Sequence, residues 1–218
     1  MSGIMLNLVG GTLGSAPVPV VGSALGGGYF AGQISTAGDG VADYNLVVGP
    51  VASAESANKA WKNANTATPG ADSAINGPQN TTDMVADGNA TVYPAGHFCN
   101  DLVTGGFSDW YMPALNELEI CYYNLKPGTN NNPENQGQNA NSVPKRTSNY
   151  SLTVPAQTSA TDFQSGGTQA FSANYWASND FNASTAYAIN FGTGVRGNPL
   201  KNYSYSTYKV RAVRRVAV

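Results

Sequence analysis

The side chains of this chain best equipped for chemistry gather toward its C-terminal end, between Asn179 and Tyr205. Asn179, Asp180, Asn182, Tyr187, Arg196, Asn198, Asn202, Tyr203 and Tyr205 intersperse amide, aromatic and charged groups, with Phe181, Ser184 and Thr185 among them. Tyrosine offers a rigid stacking face with a polar tip, and asparagine and serine offer adaptable donors and acceptors. This is recognition chemistry, of the kind found on antibody-like paratopes and sugar-binding surfaces. The competing reading is that tyrosines on short strands are half-buried packing residues, and Tyr175 and Trp176 are assigned to that role.

Bond-making chemistry has little to work with. His97 is the only histidine, and the sequence sets no nucleophile beside it, so it reads as a surface or helix-packed imidazole rather than a general base. There is no glycine-rich phosphate loop, no paired-carboxylate signature and no Ser-His-Asp assembly. Cys99 and Cys121 are too few for a disulfide framework and read as buried free thiols, with a single bridge or a metal pair as the alternatives.

The 218 residues suffice for one domain with a substantial core. Formal charge is −2 and charged residues are 11% of the chain, so Asn, Ser, Thr, Gly and Tyr must finish the surface. Without a basic excess, nucleic acid is excluded as a main partner. Arg196, Lys201, Lys209, Arg211, Arg214 and Arg215 nevertheless crowd the end. The alternation in KVRAVR (209–214) predicts a terminal strand with one charged face, solvated or ion-paired rather than a binding patch. No apolar run is long enough to cross a bilayer. The opening MSGIMLNLV lacks a basic n-region, so a secretory signal is not expected and cytoplasmic synthesis is.

These residues need a scaffold. Residues 1–24, rich in small residues with Pro17 and Pro19, predict an extended arm that docks on another subunit or protein. Two strands follow, over 26–34 and 43–49, turned at Gly38-Asp39-Gly40. Ser53–Asn63 predicts a short helix capped by Ser53, with Trp61 on its apolar side. A polar loop is expected over 66–80, a helical turn over 82–87, and a helix over 94–102. Pro113 opens the central helix, whose Leu115, Leu118, Cys121, Tyr122 and Leu125 form one apolar face. Glu117 and Glu119 sit in its early turns and Lys126 at its end, as the helix dipole favours. Trp110 is expected to anchor the core. Residues 126–150 then carry Asn130, Asn131, Asn132, Asn135, Asn139, Asn141 and Asn149, which predicts a long polar loop, functional or a spacer, and no core strand. Strands are expected over 174–178, 186–191 and 208–216.

The stretch GGFSDWYMPALNEL (105–118) resembles the signature of the DUF1566 family. YWAS (175–178) and YKVRAVR (208–214) resemble that family's later motifs, and AYAINFG (186–192) stands where it has an aromatic strand. The likeness covers about residues 90–218 well and 25–90 more loosely. It implies an α+β, C-type-lectin-like fold related to the formylglycine-generating enzyme domain, with two main helices, short antiparallel strands and long polar loops. The arm would span 1–24 and the domain 25–218. Such domains, with a GGYFAG opening like residues 27–32, resemble those of phage tail fibres and other virion proteins. The resemblance therefore implies a virion surface protein whose C-terminal face meets a host-surface glycan or protein. A capsid, tail or baseplate cement role is the alternative. It further implies attachment to other virion proteins through the arm, and a homotrimer. Formylglycine chemistry needs a copper-holding cysteine pair late in the domain, and the chain is cysteine-free beyond Cys121, so no catalysis is expected. Pro133-Glu134-Asn135 and Asn179-Asp180 faintly echo lectin calcium motifs in distorted order. Their oxygens could serve Ca²⁺, but no cofactor is assigned.

Overall fold

A computed structural model describes residues 17–204 and 208–218. In chain order the elements are β1 (Ala24–Leu25), β2 (Gly28–Ile34), β3 (Tyr44–Val48), α1 (Val51–Ala54), β4 (Glu55–Ala57), α2 (Gly77–Asp87), α3 (Pro94–Asn100), α4 (Leu115–Leu125), β5 (Ser142–Val143), β6 (Asn174–Asp180), β7 (Ala186–Asn190), β8 (Arg196–Gly197), β9 (Tyr208–Arg211) and β10 (Val213–Ala217). This is an α+β architecture. One sheet runs β1-β2-β3-β10 with β5 beside β2, and the other runs β4-β9-β6-β7-β8. The named strands pair antiparallel except β6 with β9.

The expected opening hairpin is β2–β3. A bulge falls between Phe30 and Gly32, and Gly32 has φ +138°, where a Cβ would stand 2.4 Å from the Asn124 amide of α4. Glycine there lets the central helix lie against the sheet. The apolar face of α4 is buried as its spacing predicts, with Leu118, Cys121, Tyr122 and Leu125 meeting Ala31, Ile34 and Leu46, then Phe171, Tyr175 and Phe191. A second core gathers Trp61, Met84, Tyr93, Trp110, Trp176 and Val210. Cys99 and Cys121 are free and buried. His97 is packed on α3, its Nε2 2.8 Å from the Gly88 carbonyl.

Three expectations require correction. The helix predicted over Ser53–Asn63 stops at Ala54, and Ser53 does not cap it. Glu55 turns extended and pairs with Arg211 of β9, while its carboxylate accepts from Tyr175 Oη (2.7 Å) and Lys209 Nζ (2.6 Å). A few tenths of a kcal/mol of helix propensity per residue cannot hold against a sheet pairing and two buried bonds. The loop predicted over 66–80 ends at Gly77, where α2 begins well before 82. Asn76 caps it by accepting from the Gln79 N–H at 3.3 Å, and Pro78 lies in its first turn. The single strand predicted over 208–216 is two strands in different sheets. Between them Ala212 donates to the Ala54 carbonyl and accepts from the Gly49 N–H, both at 2.9 Å. This change of sheet joins the two halves of the fold.

The charges around that change of sheet are ion-paired. Lys209 and Arg211 face Glu55 at 2.6 and 4.0 Å, Arg214 holds Asp109 at 2.7 Å, and Arg215 holds Glu117 at 2.8 Å. Stretches far apart in sequence thus meet. Asp109 and Glu117, from 105–118, bind the closing strand, and Asn179 Oδ1 accepts from the Leu115 N–H at 2.9 Å. Glu117 also accepts from the Ala114 N–H (2.8 Å) and Tyr111 Oη (2.6 Å). Both early-turn glutamates of α4, placed by the sequence where the helix dipole favours them, are also buried.

Residues 17–20 belong to no helix or strand, and Val18 is 60% and Val20 76% exposed. From Gly22 onward the chain is already paired to the domain, through a 2.8 Å bond from the Gly22 N–H to the Phe30 carbonyl and then through β1. The rest of the predicted arm, residues 1–16, lies outside the described residues.

Candidate functional site

The β6–β7 hairpin and the edge strand β8 carry the uncommitted polar and aromatic side chains that the sequence pointed to. Asn182 shapes the hairpin turn, its Oδ1 accepting from the N–H groups of Ser184 (2.8 Å) and Thr185 (2.9 Å). This turn presents Phe181, 49% exposed, edge-on to Tyr187 with ring centroids 5.3 Å apart. On the neighbouring strand Ile189 pairs with Arg196 and Ala188 with Gly197. Continuing that register puts Tyr187 opposite Asn198, and side chains two apart share a face. Arg196 is exposed, and its guanidinium carbon lies 5.9 Å from the Tyr187 ring centre. Phe181, Tyr187, Arg196 and Asn198 thus form one continuous surface.

The insert 126–150 supports this surface. Gln136 Oε1 accepts from the Arg196 N–H at 2.7 Å, which covers the outer edge of β8. Beneath it, Glu119 of α4 receives Arg146, Tyr150 and Asn139, the last at 2.5 Å. Burial pushes the Glu119 carboxyl upward against the pull of Arg146. Three of the asparagines expected to mark a loop or spacer, Asn132, Asn139 and Asn141, are interior bracing, while Asn130, Asn131, Asn135 and Asn149 are exposed. Asn132 accepts from Tyr122 Oη (2.6 Å) and donates to the Pro155 carbonyl (3.0 Å). Asn139 donates to the Asn116 carbonyl (2.8 Å), and Asn141 to the Ser35 carbonyl (2.8 Å). Each buried amide finds partners, so the segment is fixed without an apolar core of its own. The recess between Leu115, Glu119, Gln136 and Arg196 is a cavity of about 20 Å³, room for one water and not for a ligand. Recognition here must use the outer surface.

The predicted site residues separate into three groups. Asn179, 1% exposed, caps α4, and Asp180 pairs at 3.0 Å with Lys201, which is 0% exposed, so both are structural. Burial lowers the Lys201 ammonium from its usual range while Asp180 pulls it back up. The oxygens that echoed a calcium motif are thereby committed, and Glu134 and Asn135 stand exposed on the insert. Asn182, Tyr187, Arg196 and Asn198 form the surface just described. Asn202 is exposed, its N–H donating to Asn65 Oδ1 at 3.2 Å, and Tyr203 leans on Tyr208 with centroids 6.1 Å apart, at the second core. Tyr205 lies outside the described residues. Sequence reasoning missed Gln136 because nothing local marks an amide 60 residues away in sequence as the partner of a strand edge.

No protein-family model matches the chain, and no curated protein matches it. The assignment of function therefore rests on its own residues.

Proposed function

We propose that this protein is a bacteriophage virion surface protein of the DUF1566 type, with a C-type-lectin-like fold, that recognises a host-surface glycan or protein through the face of β7 and β8. The observation that carries the reading is the group Phe181, Tyr187, Arg196 and Asn198 on a braced sheet edge, in which Phe181, Arg196 and Asn198 are exposed and Tyr187 is half-buried between them and the core. A rigid aromatic beside adaptable polar groups contacts ligands at low entropic cost. The family reading is supported by the convergence of the three motif stretches, through the Asp109–Arg214 pair, the 2.9 Å bond from the Tyr111 N–H to the Val213 carbonyl and the 2.8 Å bond from the Ser178 N–H to the Pro113 carbonyl. Non-enzymatic function fits a surface whose cysteines are both buried far up in pKa.

Attachment to other virion proteins is assigned to the N-terminal arm, on the support of the exposed Val18 and Val20 at its described end. A homotrimer is proposed, to be checked by mass in solution. A cement role is the second reading, favoured by that same apolar segment.

The test is adsorption of labelled full-length protein to intact host cells, with and without EGTA. Phe181→Ala and Tyr187→Ala should each lower adsorption at least tenfold while leaving the thermal midpoint of Phe181→Ala unchanged. Wild-type adsorption by both variants would move the assignment to cement. Loss of binding in EGTA would restore a calcium requirement.

A further inference from the structure

We infer that the β7–β8 face takes a carboxylate-bearing sugar residue, with the carboxylate in the Arg196 guanidinium and the sugar ring on Phe181 and Tyr187. This rests on the receptor-binding reading above and narrows it to a ligand class.

The other arginines are committed internally. Arg146 binds Glu119. Arg211 donates to the carbonyls of Gly49 (2.9 Å) and Gln169 (2.8 Å). Arg214 grips both oxygens of Asp109 at 2.7 and 2.8 Å. Arg215 holds Glu117 at 2.8 Å and the Ile75 carbonyl at 2.5 Å. Arg196 differs. Among the described residues its guanidinium has no carboxylate or carbonyl partner, and Tyr187 is the ring beside it. The carboxylate of Glu119, which lines the same recess, does not compete for it, because it is bound to Arg146.

A guanidinium is a planar fork that matches a carboxylate or phosphate with two parallel hydrogen bonds. Beside the half-buried ring of Tyr187, the fork of the exposed Arg196 is available to a ligand. Phe181 selects between the two anions. Its exposed ring, 5.3 Å from Tyr187, offers apolar area on which the C–H face of a pyranose packs, and a poly(alcohol phosphate) chain has no such face. The exposed Asn198 and Gln138 amides stand ready for hydroxyl groups. A neutral sugar would leave the fork empty, and the single unpaired guanidinium suits one negative charge per sugar unit.

The experiment titrates full-length protein with hexamers of galacturonate, mannuronate and N-acetylneuraminate, with the methyl ester of each, and with poly(glycerol phosphate). Arg196→Gln, Arg196→Lys and Phe181→Ala are compared with wild type, after their thermal midpoints show that they are folded. At least one acidic hexamer should bind. Methyl esterification and Arg196→Gln should each weaken that binding tenfold or more, and Arg196→Lys should be intermediate. Equal binding of ester and acid, wild-type binding by Arg196→Gln, or preference for poly(glycerol phosphate) would overturn the inference. If none of the acidic hexamers binds while Arg196→Gln still abolishes host-cell adsorption, the ligand class is wrong and the receptor reading stands. Wild-type adsorption by both Arg196→Gln and Phe181→Ala would remove both.

Discussion

Removing the carboxylate of Glu119 should release the insert that braces the β8 edge. In Glu119→Ala, Arg146, Tyr150 and Asn139 all lose their acceptor. Tyr150 and Asn139 are only 6% and 2% exposed, so water does not replace it. Removing one member of a buried ion pair costs ~3–5 kcal/mol, and each stranded neutral donor costs ~1–3 kcal/mol. Arg146 offsets part of this, because it already lies 4.1 Å from the Tyr123 ring centre at the surface and can turn to solvent. We expect a net loss of about 4 kcal/mol from these opposing contributions, a fall in Tm of about 8–16 °C for a chain of this size. Glu119→Gln keeps an acceptor and should lose roughly half as much. Urea unfolding followed by fluorescence of the buried Trp61, Trp110 and Trp176 measures the stability. Trypsin cleavage after Lys145 or Arg146 under native conditions measures release of the insert, and should be faster in the variant. A cycle with Arg146→Ala should show coupling of at least ~1.5 kcal/mol. A loss below ~1 kcal/mol, or a cycle that closes within ~0.5 kcal/mol, would refute the bracing argument.

Other consequences can be measured on the same protein. Gly105 has φ +62° and a Cβ there would stand 2.5 Å from Gly27 Cα, whereas Gly106 at φ +83° has open space around it. Gly105→Ala should therefore destabilise by ~2–3 kcal/mol and Gly106→Ala by ~1 kcal/mol; equal urea midpoints would contradict the close approach. Burial raises both thiols, so Ellman's reagent should fail to label native protein and should titrate Cys99 and Cys121 once it unfolds. Arg214 holds the Asp109 carboxyl below its ordinary value of 3.8. The pair's contribution is then present above about pH 4 and is lost as pH falls through the depressed folded value. Because the Asp109 side chain is 56% exposed, solvent screens the pair. Asp109→Asn should cost at most ~1 kcal/mol at pH 7 and flatten the stability curve below pH 4, and an unchanged acid limb would argue against it.

Much of the scaffold was legible because its causes are local. The apolar spacing of α4, the proline that opens α3 and the turn between β2 and β3 each follow from residues within a few positions of one another. Two of the failures share one cause. Glu55 leaves a helix for a strand because β9 and Tyr175 wait for it, and Ala212 divides a strand because Gly49 and Ala54 take its backbone bonds. No window of neighbouring residues contains those partners. Missing the start of α2 is different, since the Asn76-Gly-Pro78 signal is local and lay within the predicted loop.

For the candidate site the division is sharper. The sequence by itself determined which residue types crowd the C-terminal end, and hence the stacking and hydrogen-bonding groups on offer there. It could not say which of them were outward. Asn179 and Asn182 look alike in a row of polar residues, yet one caps a buried helix and the other shapes an exposed turn. Arg196 and Arg214 look alike near the end, yet one is exposed beside Tyr187 and the other is gripped by Asp109. Composition fixes the supply of polar groups, but whether a given group is used inside or left for a ligand depends on which distant donors and acceptors the two sheets and the insert bring within bonding reach.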